Sequence, residues 1–289
     1  MRLGLSPKIN VPRMLGFLET EGRYFSKATT SDFDNMDELT VVEFISCTTG
    51  NIDSYGNITS IYQDTTNDLG FQTYIRGSGT GLSAFSCADG SGAMTMIINT
   101  ELTGDPSTMF GRFGGTEVGD PTGHKLQSTG FLVCLISRFD ASAATDMKQW
   151  IVSRNGIHYI TGNAGAANLG TMGTSGKIVI GQTDMVGNNP GTMVHKVSIW
   201  KSALTNADLA KLVGRVVTSG SNTTVDSNFH MASRFKSYTS LGVTAPDYEW
   251  DFASNEDIWS DADVVIESIG GTHTLAATGT PRVGSYFQY

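Results

Sequence analysis

The sequence predicts an all-β fold: an antiparallel β-sandwich with one short helix towards the C-terminal end and extended termini. Three observations predict it. Short runs rich in Val, Ile, Phe, Tyr and Thr recur with Gly, Asn and Asp between them, as in sandwiches. KQWIVSRNGIHYI (148–160) carries Asn155-Gly156 between two strand-like arms, a strong hairpin signal. Only 16 % of the 289 residues are charged and 34 are glycine, a composition suited to many strands and turns. That length serves one large domain with extensions or two small ones, and buries a core without disulfides.

Taken in order, residues 1–17 read as an extended arm. Arg2, Lys8 and Arg13 make it locally basic in a chain of formal charge −9. Leu3, Leu5, Ile9 and Val11 are spaced to line one face of a strand. From about Phe17 the pattern is β: Val41–Cys47, Asn57–Gln63, Phe71–Gly77, Leu82–Cys87, Ala93–Asn99 and Phe131–Phe139, then the hairpin with Asn155-Gly156 at its tip. Ile178, Val179 and Ile180 form a β-branched run stopped by Gly181. Val194–Trp200 is a further strand with Val197 and Ile199 on one face. Thr205 then reads as a helix N-cap, with Asp208 near the capping-box position and Leu204 and Leu209 as a hydrophobic staple. Leu209, Leu212 and Val213 make its apolar stripe, and Gly214 its stop. The polar stretch 216–224 reads as a linker, and 225–289 as a β-rich segment.

The run IVIG, VSIW, ALTNADL within Lys177–Gly214 resembles the C-terminal end of LamG-like domains in the concanavalin A-like lectin/glucanase superfamily. DELTVVEFIS resembles an early strand of that family. The resemblance covers about residues 25–215, most firmly 131–214. It implies a jelly-roll sandwich over 18–215, with an arm at 1–17. YEWDFASNEDIW and GTHTLAATGTP, inside 225–289, resemble the family's opening strands, so this segment either completes the sandwich or packs on a neighbour. The superfamily hosts lectins, glycosidases and structural adhesion modules alike, so the fold does not by itself choose among them.

Several function classes are excluded on the residues. A pI near 4.9 offers no basic field for nucleic acid or an anionic membrane surface. No apolar stretch is long enough for a span, and residues 1–18 lack the apolar core of a signal peptide. Cys47, Cys87 and Cys134 are expected as reduced thiols, at spacings that do not suit zinc. The five histidines are scattered, without triad or metal spacing. Glucanases on this fold carry E-x-D-x-E or E-x-D-x-x-E on one strand; Glu249, Asp251 and Glu256 depart from that register. No catalytic residue and no cofactor is therefore assigned. Asp32, Asp34 and Asp37 invite a calcium ion but lack the spacing of a self-contained loop, so a solvated turn is the better reading. Trp150 and Trp200 read as core; Trp250 and Trp259, in an acidic stretch, read as the exposed aromatics available to a glycan.

The expected function is that of a structural bacteriophage virion protein: a capsid decoration protein, head fibre or tail-associated module. It would be made in the host cytoplasm without a signal peptide and placed in the virion. Its partners would be other virion proteins and copies of itself. Arg2, Leu3, Leu5, Lys8 and Arg13 would make these contacts at one end, and Tyr286, Phe287 and Tyr289 at the other. The alternatives are a carbohydrate-binding lectin module for receptor or surface glycans and, behind both, a glycoside hydrolase.

Overall fold

The computed structural model describes residues 13–16, 24–47, 56–62, 69–76, 82–89, 95–98, 112–113, 132–144, 146–153, 156–162, 168–173, 176–181, 192–213, 216–219, 222–225, 237–252, 265–267, 273–278 and 282–285. Two antiparallel sheets face each other. The first runs β11 (Gly156–Gly162), β10 (Met147–Ser153), β9 (Leu132–Asp140), β3 (Glu38–Cys47), β13 (Thr192–Trp200). Two short strands then share the far side of β13. β1 (Arg13–Gly16) sets Leu15 opposite Val194 and Gly16 opposite Met193, while β16 (Tyr248–Asp251) takes Lys196 to Ile199. β19 (Arg282–Ser285) adds to β1 and ends the order.

The second sheet runs β17 (Val265–Glu267), β18 (Thr274–Thr278), β2 (Tyr24–Thr30), β12 (Gly176–Gly181), β4 (Gly56–Tyr62), β5 (Leu69–Arg76), β6 (Leu82–Asp89), β7 (Thr95–Ile98). β12 ends at Gly181 because the backbone there turns to φ 105°, a conformation that favours glycine. Strands from the last part of the chain thus lie in both sheets: β16 and β19 in the first, β17 and β18 in the second.

Residue parity explains the layers. Leu39, Val41 and Ile45 of β3, with Val197 and Ile199 of β13, meet Phe25, Ile61, Phe71, Ile178 and Ile180 of the second sheet in one core. The alternate residues Val42 and Phe44 point the other way. With Cys134, Ile136, Trp150 and Trp200 they meet Leu204, Leu209 and Leu212 of the helical segment, and Tyr238 and Val243. The first sheet is therefore buried on both faces, which is why VVEFIS shows almost no polar alternation.

The helix α1 (Asn206–Val213) forms as its caps dictate. Thr205 Oγ1 accepts the Asp208 N–H at 3.1 Å and donates to the Asp208 carboxylate at 2.7 Å. Burial pulls Asp208 upward, but hydrogen bonds from Lys211 and Thr205 outweigh it and leave the carboxyl below its ordinary value. The entry to α1 is pinned to the first sheet. Thr40 Oγ1 accepts the Leu204 N–H at 2.9 Å, and Arg138 donates to the Leu204 carbonyl at 2.8 Å.

Three sequence expectations need correction. Residues 216–224 are not simply a linker: β14 (Val216–Ser219) and β15 (Asn222–Val225) pair, and β8 (Arg112–Phe113) joins them in a small third sheet. Their β-branched Val and Thr residues suit a strand despite the polar content. The arm does not run unbroken to residue 17, because Arg13–Gly16 is a strand of the first sheet. Gly156 is not at the hairpin tip either; it pairs with Ser153 and opens β11.

Candidate functional site

β16 carries the carboxylates the sequence singled out. Its register against β13 sets Val197 beside Trp250 and Ser198 beside Glu249. Alternation then sends Tyr248 and Trp250 into the inter-sheet core, and Glu249 to the outer face beneath Tyr238. Trp250 has 0 % exposure, lies 5.8 Å from the Tyr248 ring, and donates its Nε1–H to the His273 carbonyl at 2.9 Å. The expectation of an exposed Trp250 available to a glycan is therefore corrected: strand pairing with β13 makes it core. Trp259 lies outside the described residues. Trp150 and Trp200 are core, as read.

Glu249 faces Lys196 Nζ at 2.5 Å, and the two side chains retain 11 % and 3 % exposure. The Tyr238 ring roofs this pair, 4.3 Å from Nζ, and its hydroxyl lies 2.7 Å from Ser198 Oγ. Burial foremost pushes the Tyr238 phenol well above its ordinary value. Asp251 stands opposite Lys196 in the strand register. Glu249 is thus occupied as the counter-ion of a buried lysine. Glu256 lies outside the described residues.

The acidic turn is also engaged internally. Asp34 Oδ1 accepts the backbone N–H groups of Met172 and Gly173 at 2.7 and 2.9 Å. Tyr248 donates its hydroxyl to Asp32 at 2.5 Å. Burial, and then Asp32 beside it, push that phenol upward. The Asp37 carbonyl accepts the Ala141 N–H at 2.9 Å. The carboxylates of Asp34 and Asp32 hold the 31–37 turn to 172–173 and to β16, and the Asp37 backbone holds it to 141. Among the described residues no group of His, Cys, Asp or Glu converges as metal ligands would.

At the far edge of the first sheet, Arg13 pairs with Ser285 and Gly16 with Arg282. The chain before Arg13 and the chain after Ser285 are therefore attached at the same end of one strand pair. β16 occupies the place along Lys196–Ile199 that a longer β1 would need. Arg13 itself belongs to its own sheet rather than to a neighbour's, which corrects its assignment to a free arm. Arg2, Leu3, Leu5, Lys8, Tyr286, Phe287 and Tyr289 lie outside the described residues.

The sequence reading passed over Glu43. It sits between Val41 and Ile45 on the inward face of β3 and is fully buried. Thr73 of the opposite sheet donates to its Oε1 at 2.6 Å. Burial foremost, opposed by hydrogen bonds from Thr59 and Thr73, pushes its carboxyl up from 4.5 to about 7. Its signal was available: an acid at inward parity inside an apolar run.

No family model and no curated protein matches this chain. Solved structures do. A putative carbohydrate-binding protein from Bacteroides ovatus is 11 % identical over 95 % of this chain, with a TM-score of 0.52. The chain spans 60 % of that protein's length. A heptameric SAP-like pentraxin from Limulus polyphemus is 12 % identical, covers 71 % of this chain and 83 % of its own, and scores 0.44. The sialidase CBM40 of Ruminococcus gnavus, bound to α2,6-sialyllactose, is 13 % identical, covers 69 % and 96 %, and scores 0.40. The fold shared with the Bacteroides ovatus protein is an antiparallel β-sandwich. At these identities the likeness concerns fold alone. Among the described residues no helix is long and apolar enough to cross a membrane.

Proposed function

We propose that this chain is a non-catalytic sandwich module that joins a larger assembly, a bacteriophage virion, at the sheet edge formed by β1 and β19. The observation that carries the reading is the Arg13–Ser285 pairing. It roots the basic, strand-patterned arm and the aromatic segment Tyr286, Phe287, Tyr289 at one place. Among the described residues β19 ends its sheet, so part of its backbone hydrogen-bonding capacity points away from β1. An extended segment of a neighbour can add there, with alternate side chains giving specificity and aromatics burying area. The partners would be other virion proteins or further copies of this chain.

The non-catalytic part of the reading rests on Glu249. A glycosidase needs two carboxyl groups free to face a sugar across a cleft. Here Glu249 is bound to Lys196 under Tyr238.

The test is deletion of residues 2–12, leaving β1 intact, and separately of 286–289. Each variant should melt close to the full chain in isolation and lose attachment to the particle or self-association. Unchanged attachment in both variants would refute the reading. A second reading, glycan binding, draws on the carbohydrate-binding neighbours. With Trp250 in the core it would rest on Trp259, and binding on a glycan array that Trp259→Ala removes would favour it.

A further inference from the structure

Glu43 is a buried titratable group that the assembly reading does not use. On β3 it faces the second sheet, and Thr73 Oγ1 lies 2.6 Å from its Oε1. Thr73 Oγ1 has two other neighbours, both on Thr59: the backbone N–H at 3.2 Å and the carbonyl oxygen at 3.2 Å. A threonine hydroxyl has one proton and two lone pairs. When Glu43 is ionised, that one proton has two claimants, the carboxylate and the Thr59 carbonyl. When Glu43 is protonated, the conflict disappears. Its O–H donates to one lone pair of Thr73, the Thr59 N–H donates to the other, and Thr73 gives its own proton to the Thr59 carbonyl. Glu43 Oε2 is buried and makes no well-formed hydrogen bond, the Thr59 hydroxyl being close enough to favour the ionised form only weakly against burial. A neutral carbonyl oxygen bears this at far less cost than a carboxylate oxygen does.

Among the described residues around Glu43, none supplies a compensating charge. Leu135 of β9 and Val197 of β13 flank Glu43 in its own sheet. Thr59 and Ile61 of β4, Phe71 and Thr73 of β5, and Ile178 and Ile180 of β12 line the buried side of the facing sheet. The ionisable Cys134 of β9 and Lys196 of β13 project from the opposite face of the first sheet, towards Tyr238.

We propose that Glu43 is a proton-dependent clamp between the two sheets: neutral, it bridges β3 to β5, and its ionisation loosens the sandwich. Its titration runs in the required direction, with burial the dominant cause. The unfolded chain releases this proton near 4.5 and the folded chain near 7, so the folded state binds more protons between those values. The contribution is fully present below the lower value, falls as pH rises through the upper one, and is not regained above it.

The experiment compares urea unfolding of the full chain and of Glu43→Gln, at about pH 5.5 and about pH 8.5. The amide keeps the shape of the neutral acid and cannot ionise. The folding equilibrium of the variant relative to the native chain should improve by roughly 30-fold between the two pH values. Equal pH dependence in the two proteins would overturn the proposal. If Glu43→Gln does not fold, carboxyl-carbon NMR of the native chain decides. A Glu43 carboxyl still protonated at about pH 5.5 supports the clamp, and one already ionised there overturns it.

Discussion

Replacing Lys196 by Met removes one partner of a buried ion pair while keeping a stem of similar length. Glu249 would then lie at 11 % exposure with its counter-ion gone from 2.5 Å away. Breaking such a pair from one side costs about 3–5 kcal/mol, mostly because the surviving charge stays desolvated. Loss of the cation under the Tyr238 ring is contained in that range, since Met still packs on the ring. Glu249→Gln should cost a comparable amount, about 3–5 kcal/mol, because it leaves the Lys196 charge at 3 % exposure without its counter-ion. Replacing both residues by Met should restore most of the loss, since a buried pair exchanged for apolar side chains is often neutral or better. The assay is equilibrium urea unfolding followed by tryptophan fluorescence, for which Trp150, Trp200 and Trp250 are buried reporters. A loss below about 1 kcal/mol for Lys196→Met, with single losses that simply add in the double variant, would refute the reasoning. The pair would then be solvent-screened, and Glu249 free for another role.

Thr205→Ala should cost about 1 kcal/mol through the lost cap, and Leu209→Ala about 2–5 kcal/mol through the cavity under α1, both read by denaturant melts. Trp250→Ala should cost about 3–5 kcal/mol of stability and leave any glycan retention unchanged once folding is restored by cooling. Asp34→Ala strips the acceptor from two backbone N–H groups. It should cost about 1.5–3 kcal/mol and speed proteolysis near residues 169–173.

The elements read most plainly from sequence are those whose signals are local. IVIG, VSIW and the Thr205–Asp208 cap each carry their own start, stop and parity, and the structure puts β12, β13 and α1 there. The places misread depend on distant partners. Trp250 sits among acids that suggest solvent, but its environment is set by Val197 and His273. Parity could have found it, since Tyr248, Trp250 and Phe252 alternate with Glu249 and Asp251. Glu249 reads as a free carboxylate until Lys196, far away in sequence, is placed beneath Tyr238. The 216–224 stretch looks like a linker because β8, which pairs with it, lies over a hundred residues earlier. Glu43 was visible by parity alone, but the Thr73–Thr59 arrangement that gives it a role belongs to the opposite sheet.

The β1–β19 edge is tested most directly by amide hydrogen exchange at residues 282–285, measured in the isolated chain and in the assembled particle. In an antiparallel edge strand, alternate N–H groups face away from the paired neighbour and exchange through solvent. These outward amides of β19 should slow markedly on assembly, while the inner strands β3 and β9 exchange as before. Outward amides of β19 that exchange at the same rate in the particle as in the free chain would contradict assembly at this edge.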